Sequence, residues 1–142
     1  WFNEMVPGNP VIMEAYGNSY TDYNIVSAYT GLPSVCGWQT HEWLWRFHGI
    51  VNNETDLLES DPENDVWELY LTPRHYDIDT VYTASDPDTI RQTLDKYEVE
   101  YVIIGDLERA KYDGYDNTGN IIAAGGQIAY VSGDLVVVQF ER

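Results

Sequence analysis

The chain has 142 residues, with 24 Asp and Glu against seven Lys and Arg and a formal charge of -17. This length fits one domain that buries about two-thirds of its unfolded surface, and we expect a single domain over residues 1–142. The charge repels nucleic-acid phosphates and anionic lipid headgroups, so we expect no nucleic-acid partner. Cys36 is the only cysteine, which excludes an intrachain disulfide.

The sequence has no segment suited to crossing a bilayer. No apolar run approaches the ~20 residues that a transmembrane helix requires, and no basic-then-apolar leader opens the chain. The first residues are Trp1 and Phe2 rather than Met. We therefore expect a soluble segment of a longer protein.

Short elements are predicted along the first third of the chain. An apolar run follows the turn cluster at Pro7–Pro10 and predicts a buried strand from Val11 to Ala15. Residues 25–29 fit a short helix or a loop, and residues 34–37 predict a second short strand. His41 to Phe47 carries aromatic residues at a spacing of four, which indicates one or two helical turns.

The middle of the chain is acidic. Six carboxylates lie between Asn52 and Asp65 with few apolar residues, which predicts a solvated loop, and we interpret residues 52–67 as an insertion. Residues 67–71 alternate apolar and polar side chains before Pro73, so a short strand and a helical turn both remain open.

The second half of the chain predicts helices and a strand in alternation. Apolar side chains recur at helical spacing over residues 76–82. A clearer helix follows, with Ser85 or Asp86 as its N-cap and Pro87 at its first position. Val99 to Ile104 then predicts a strand.

The tail predicts a β-hairpin. Two strands, Gln127–Val131 and Leu135–Phe140, are joined by Ser132–Asp134, which has the composition of a turn. Strands and helices thus alternate before a terminal antiparallel pair. This order predicts an α/β fold, a mixed-sheet α/β sandwich that ends in an antiparallel β-hairpin.

The segment from Gly105 to Arg109 follows a predicted strand and fits the start of a helix. Backbone N–H groups at such a position are suited to holding an anion. Asp106 and Glu108 would repel a phosphate there, so we favour a structural role in which Arg109 pairs with an acid and Leu107 packs.

The candidate functional segment runs from Glu14 to Arg46, where aromatic rings alternate with hydroxyl and amide side chains. Such a surface is suited to a sugar face or to a neighbouring protein surface. Its tryptophans fit a structural cluster equally well, because Trp is usually mostly buried. Seven residues are our binding candidates: Tyr16, Ser19, Tyr20, Trp38, His41, Glu42 and Arg46.

Each candidate has a chemical role. The aromatic rings would stack on a sugar or on a loop of a membrane domain, while His41 and Glu42 would hydrogen-bond hydroxyl groups. Arg46 suits a carboxylate or a phosphate. Glu42 and Arg46 are four residues apart, so on a helix they fit pairing with each other equally well.

Metal and catalytic sites have little support in the sequence. His41, Glu42 and His48 lack the HExxH spacing, and we expect no metal site. Glu14, Asp22 and Glu42 flank aromatic residues, as a glycosidase carboxylate would, but some of the 24 acids must do so by chance. No GxSxG motif is present, and we expect no cofactor and no catalysis by this segment alone.

Four blocks of the sequence are similar to one protein family. They are the E-A-x-G-x-S-Y-like block at Glu14–Tyr20, T-G-L-P at Thr30–Pro33, G-W-x-x-H-E-x-x-W-R at Gly37–Arg46, and Y-V-I-I-G-D-L-E-R at Tyr101–Arg109. In this order they resemble the C-terminal extracytoplasmic region of the "YYY" family of large polytopic membrane proteins of bacteria and archaea. The resemblance covers roughly residues 7–140, and the acidic residues 52–67 depart from it.

The resemblance implies a function outside the cytoplasm. The family is similar to membrane glycosyltransferases that use lipid-linked sugar donors, in which catalytic acids lie in loops between membrane helices. It implies an accessory or binding domain on the extracytoplasmic side of the cell membrane. The implied partners are the transmembrane part of the same chain and a glycan or lipid-linked sugar. A free-standing carbohydrate-binding module and a carboxylate-dependent glycoside hydrolase are the alternatives.

Overall fold

The computed structural model describes residues 1–141 and places helices on both faces of a mixed four-stranded sheet. The strands are β1 (Val11–Met13), β2 (Gly49–Asn52), β3 (Leu57–Ser60), β4 (Val99–Ile104), β5 (Gln127–Ser132) and β6 (Leu135–Gln139). The α-helices are α1 (Phe2–Met5), α2 (Ile25–Thr30), α3 (Gln39–Arg46), α4 (Thr72–Thr83), α5 (Pro87–Lys96), α6 (Asp106–Lys111) and α7 (Thr118–Ala123).

The main sheet has the strand order β1-β4-β6-β5. β1 runs parallel to β4, while β6 pairs antiparallel with both β4 and β5. β4 is buried along almost its whole length, which explains its nearly continuous apolar sequence. β2 and β3 form a separate antiparallel hairpin.

The core lies on both faces of the main sheet, because successive strand residues point to opposite sides. Val102 and Ile104 contribute to the larger core, which also includes apolar residues of α4, α5 and α7. Tyr101 and Ile103 contribute to a smaller core that packs against Phe2 of α1 and Val26 of α2. The predicted α/β class, mixed sheet and C-terminal hairpin are confirmed.

Several local predictions match the structure. β4 has the predicted bounds, and α5 begins at Pro87 with Asp86 as its N-cap. The Asp86 Oδ2 atom accepts a hydrogen bond from the Thr89 N–H at 3.1 Å. Arg109 pairs with an acid as predicted, since its Nε lies 2.8 Å from the Asp116 carboxylate.

Three local predictions were wrong. The predicted strand at residues 34–37 is reduced to one bridge between Ile12 and Ser34, because the chain turns away after it. β1 ends at Met13 rather than Ala15, since the Ala15 N–H donates to the Glu108 carboxylate and leaves the ladder. The acidic residues 52–67 are not one loop, because they include β3 and a 3₁₀ turn at Pro62–Asn64.

The choice left open at residues 67–71 is resolved as helical. Trp67–Leu71 forms a π-helical turn that continues directly into α4. Among residues 1–141, no helix is long and apolar enough to cross a bilayer.

Candidate functional site

The segment after β1, which contains α2, and the start of α3 bring three predicted side chains into one cluster. The ring centroid of Tyr20 lies 5.8 Å from that of Trp38 and 5.2 Å from that of His41. The centroids of Trp38 and His41 are 5.2 Å apart. Tyr20 is 85% exposed, whereas Trp38 and His41 are partly buried. We call these three residues the aromatic surface.

Trp38 of the aromatic surface is held in place by a hydrogen bond and by close packing of the chain around it. Trp38 Nε1 donates to the carbonyl oxygen of Tyr23 at 2.6 Å. Asn24 is buried, and its Nδ2 donates to the carbonyl oxygen of Cys36 at 2.8 Å. A Cβ atom at Gly17 would overlap the Tyr23 ring, so only glycine allows this approach. The indole therefore has a defined position, which a ligand platform requires.

Tyr20 combines two features that a purely structural residue rarely has. Its φ angle is 62°, in the left-handed region that disfavours bulky side chains. Its ring is nevertheless exposed, so packing of the side chain does not offset this backbone conformation. The Tyr20 hydroxyl and His41 Nε2 are 3.4 Å apart, a long contact that leaves both groups able to bind a ligand. Unfavourable backbone conformations of this kind cluster at functional sites.

Glu42 and Arg46 pair with each other, the alternative that their spacing had left open. Arg46 Nε lies 2.9 Å from Glu42 Oε2, and Glu42 Oε1 accepts a hydrogen bond from the Gly37 N–H at 3.0 Å. The Arg46 guanidinium carbon also lies 3.8 Å from the ring centroid of Tyr70. These contacts tie α3 to the loop before it and to the π-helical turn. They give both residues a structural role beside the aromatic surface.

The two remaining candidates do not join the aromatic surface. The Tyr16 ring stacks on His75, with centroids 3.8 Å apart and planes at 5°. The Tyr16 hydroxyl donates to Asp79 Oδ2 at 3.1 Å. Ser19 Oγ is buried, and it has no hydrogen-bond partner among residues 1–141. The seven candidates thus divide between the aromatic surface, its two supports and a second cluster around Tyr16, and Ser19 belongs to none of these.

Glu14, at the end of β1, is almost fully buried. Its Oε1 accepts a hydrogen bond from the Ser27 N–H at 2.8 Å, and its Oε2 accepts one from the Val26 N–H at 3.0 Å. Burial raises the pKa of Glu14 to about 7, although these two hydrogen bonds oppose the change. Glu14 therefore holds the first turn of α2 against the sheet at the cost of a buried carboxyl group.

Glu108 performs a similar role at the end of β4. Its Oε1 accepts from the Ala15 N–H at 3.0 Å, and its Oε2 accepts from the Gly105 N–H at 2.9 Å. The second bond runs from the backbone N–H of the N-cap Gly105 to the glutamate at the third position of α6, which is the half of a capping box that a glycine N-cap allows. Glu108 thus joins the end of β1 to the end of β4.

Glu14 and Glu108 both line a pocket of about 310 Å³ at the carboxyl ends of β1 and β4. This is the edge at which α/β sheets usually bind ligands. All four carboxylate oxygens, however, already accept backbone hydrogen bonds. The two acids therefore serve as structural supports, and their arrangement does not favour the carboxylate pair of a glycoside hydrolase.

A second exposed region lies at the C-terminal end of α3. Trp45 is 87% exposed and Leu69 is 63% exposed. Both line a groove of about 410 Å³ together with Tyr70, Val66 and the polar side chains of Arg46, His48, Asn64 and Asp65. We call Trp45, Leu69 and Tyr70 the apolar groove. Large apolar side chains that share a groove are typical of an interaction site.

No metal site is evident in the described chain. Among residues 1–141, no group of three or more His, Cys, Asp or Glu side chains is arranged to hold a metal ion. The lone Cys36 is buried, and burial raises the pKa of its thiol to about 12. Its sulfur is therefore a poor nucleophile in this fold.

Sequence reasoning missed the residues around Asp79. Asp79 Oδ1 accepts a hydrogen bond from the Tyr112 hydroxyl at 2.8 Å, beside the Tyr16 contact described above. Lys111 Nζ lies 3.7 Å from the Tyr16 ring centroid. These residues come from distant parts of the chain, and no sequence motif links them.

Comparison with protein-family models, with curated proteins and with solved structures gives no match to this chain.

Proposed function

We propose that this chain is an extracytoplasmic accessory domain of a membrane glycosyltransferase, and that its aromatic surface binds a sugar of the glycan or of the lipid-linked donor. One observation carries the proposal. The Tyr20 ring is almost fully exposed to solvent and lies beside Trp38 and His41. The backbone of Tyr20 is in the left-handed region. An exposed ring gains nothing from the hydrophobic effect until a ligand covers it.

The chemistry of the aromatic surface suits a sugar. A pyranose presents an apolar C–H face that packs on an aromatic ring, and hydroxyl groups at its edge. Tyr20 and His41 supply polar atoms next to the rings, so face and edge are recognised together. A neutral sugar also avoids the repulsion that a chain of formal charge -17 imposes on anionic ligands.

The apolar groove is our proposed contact with the transmembrane part of the same chain. Trp45 and Leu69 expose apolar area there, and Tyr70 stacks on the Arg46 guanidinium at the groove's edge. Contact with a membrane-domain loop would bury this area and bring the aromatic surface close to the active site. Catalytic acids would then lie in the membrane part, in keeping with the structural use of Glu14 and Glu108.

Sugar binding is tested with soluble oligosaccharides. Chitotriose, mannotriose and maltotriose are titrated into the protein by calorimetry. Tyr20→Ala should weaken binding about tenfold or more, the loss expected for one central aromatic contact. Tyr76→Ala is the matched control, because Tyr76 is 72% exposed on α4 and should bind like wild type. Equal losses in the two variants, or binding to none of the three sugars, would contradict the proposal.

The accessory role is tested in the full-length protein. Trp45→Ala should leave folding nearly unchanged, because the ring is exposed, while transferase activity is lost. Unfolding of the variant would count against a contact role for Trp45. Full activity would show that the groove contacts nothing needed for transfer. Sugar binding by the isolated domain together with full transferase activity of Trp45→Ala would favour a free-standing carbohydrate-binding module.

A further inference from the structure

Lys111 occupies an unusual position on the Tyr16 ring. Its Nζ atom lies 3.7 Å from the ring centroid, and the His75 ring stacks on Tyr16 at 3.8 Å. Two groups this close to one centroid cannot share a face, so Tyr16 separates the ammonium from the imidazole. The cation–π contact fixes the end of a side chain that is usually mobile.

Lys111 also lacks a carboxylate partner. Among residues 1–141, Arg46, Arg91, Lys96 and Arg109 each form an ion pair, whereas Arg74 and Lys111 form none. The chain has only two lysines, and the other one, Lys96, lies 2.6 Å from the Asp77 carboxylate. In a protein with 24 acidic residues, a partly buried lysine without an ion pair needs an explanation.

The amine opens into a cleft of about 330 Å³ that is lined by Tyr16, Asp79, Thr83, Lys111 and Tyr112. The two Asp79 oxygens accept hydrogen bonds from the two tyrosine hydroxyls of this cleft. The cleft therefore combines one amine, one oriented carboxylate and two phenols. These groups come from α4, α6 and the segments that follow β1 and α6.

The two lysines differ in their acid–base behaviour. Burial lowers the pKa of Lys111, so more of its amine is neutral near physiological pH. The hydrogen bond to Asp77 raises the pKa of Lys96 and keeps that side chain charged. A partly desolvated lysine such as Lys111 is the type that forms Schiff bases with carbonyl compounds.

We propose that this cleft binds a small aldehyde or ketone and that Lys111 condenses with it to form a Schiff base. A neutral carbonyl compound fits the cleft better than a carboxylate or a phosphate, because Asp79 lines the same space. The site is separate from the aromatic surface and does not depend on the proposed sugar binding.

The condensation balances without a further reactant. Lys111 loses one proton, and its nitrogen lone pair forms a C–N bond as the carbonyl π pair moves to oxygen. That oxygen takes up the released proton and a second proton from nitrogen, and it leaves as water. The product is a protonated imine with the same single positive charge as the starting ammonium. Asp79, which stabilises the ammonium electrostatically, would stabilise this cation in the same way.

The test compares the two lysines within one molecule. The protein is incubated with glycolaldehyde and sodium cyanoborohydride at pH 7.5, and the reduced adduct at each amine is measured by peptide mass spectrometry. Lys111 should react several-fold faster than Lys96, because burial lowers the pKa of Lys111 while the hydrogen bond to Asp77 raises that of Lys96. Its rate should also saturate with glycolaldehyde concentration, as binding in a cleft requires. Equal rates, or a linear dependence at both lysines, would overturn the proposal.

Three variants distinguish the effect of the cleft on lysine reactivity from the effect of merely lacking an ion pair. Asp77→Asn frees Lys96 from its partner, and Lys96 should still react more slowly than Lys111. Tyr16→Phe keeps the ring under the amine and should retain fast labelling, whereas Tyr16→Ala should lose it. If Lys96 matches Lys111 in Asp77→Asn, lack of an ion pair alone explains the reactivity and the cleft has no role. In urea-unfolded protein the two lysines should react alike.

Discussion

Replacing Glu14 with glutamine should change stability by an amount that depends strongly on pH. The carboxyl group is 2% exposed, and both of its oxygens accept backbone hydrogen bonds. Glutamine has nearly the same shape but no charge, and only one of its polar atoms accepts. The lost hydrogen bond should cost about 1–3 kcal/mol at every pH. The lost charge adds a second effect that varies with pH.

The sign of this second effect follows from the direction of the pKa change. The folded-state pKa of Glu14 is raised from 4.5 to about 7, so the folded protein binds its proton more tightly than the unfolded chain. The resulting stabilisation is complete below pH 4.5 and is lost as the pH rises through 7. At 1.36 kcal/mol per pKa unit, the full effect is about 3 kcal/mol, of which about 2.5 kcal/mol falls between pH 5 and 8.

The assay is urea unfolding of wild type and Glu14→Gln, followed by tryptophan fluorescence at constant ionic strength. The stability advantage of wild type should fall by about 2.5 kcal/mol from pH 5 to pH 8. Glu68→Gln is the control: Glu68 is exposed, so its difference from wild type should be small and nearly constant. A constant difference for Glu14→Gln would refute the reasoning. So would a carboxyl titration midpoint below 5 for Glu14 by NMR.

Two further substitutions test the fold and the aromatic surface. Asn117→Ala removes a buried amide that donates to the carbonyl oxygens of Val81 and Ala84, each at 2.9 Å, and should cost about 2–4 kcal/mol in urea unfolding; a loss under 1 kcal/mol would show that water replaces the amide. Tyr20→Gly relieves the left-handed backbone but adds freedom to the unfolded chain, so its stability should stay within about 1 kcal/mol of wild type while sugar binding falls. A loss above 2 kcal/mol would assign the Tyr20 ring a structural role.

The elements predicted most accurately from the sequence are those that the local residue pattern determines. β4 is an apolar run covered on both faces, so its limits coincide with its composition. The start of α5 depends on two adjacent residues, Asp86 as the cap and Pro87 at the first position. The C-terminal hairpin depends on the turn at residues 132–134. None of these predictions required knowledge of a distant contact.

The failed predictions depend on contacts that the local pattern does not contain. Val35 and Cys36 are buried as a strand would be, but they pack in the larger core and extend no ladder. The end of β1 is set by Glu108, which is 93 residues away from its partner Ala15. The β2–β3 hairpin turns at Asp56, whose φ of 57° is not evident from an acidic composition.

In the candidate site, too, local spacing predicted some contacts, and contacts with distant residues determined the others. The pairing of Glu42 with Arg46 was an alternative that spacing alone supplied, and the structure contains that pair. The separation of Tyr16 from the aromatic surface was not predictable, because it depends on His75 in α4. Residues close together in sequence were expected to act together, yet the loop after β1 points them in different directions.

Stability and binding have separate origins within the loop that carries the aromatic surface. At its start, the loop is held by two buried carboxylates, Glu14 and Glu108, which bind backbone N–H groups. At its end, Trp38 is held by an uncharged hydrogen bond to the carbonyl oxygen of Tyr23. The cost of burying charge is therefore confined to the base of the loop, away from the exposed Tyr20 ring. Substitutions at Glu14 should report mainly on folding, and substitutions at Tyr20 should report on ligand binding, because no hydrogen bond or ring contact joins the two residues directly.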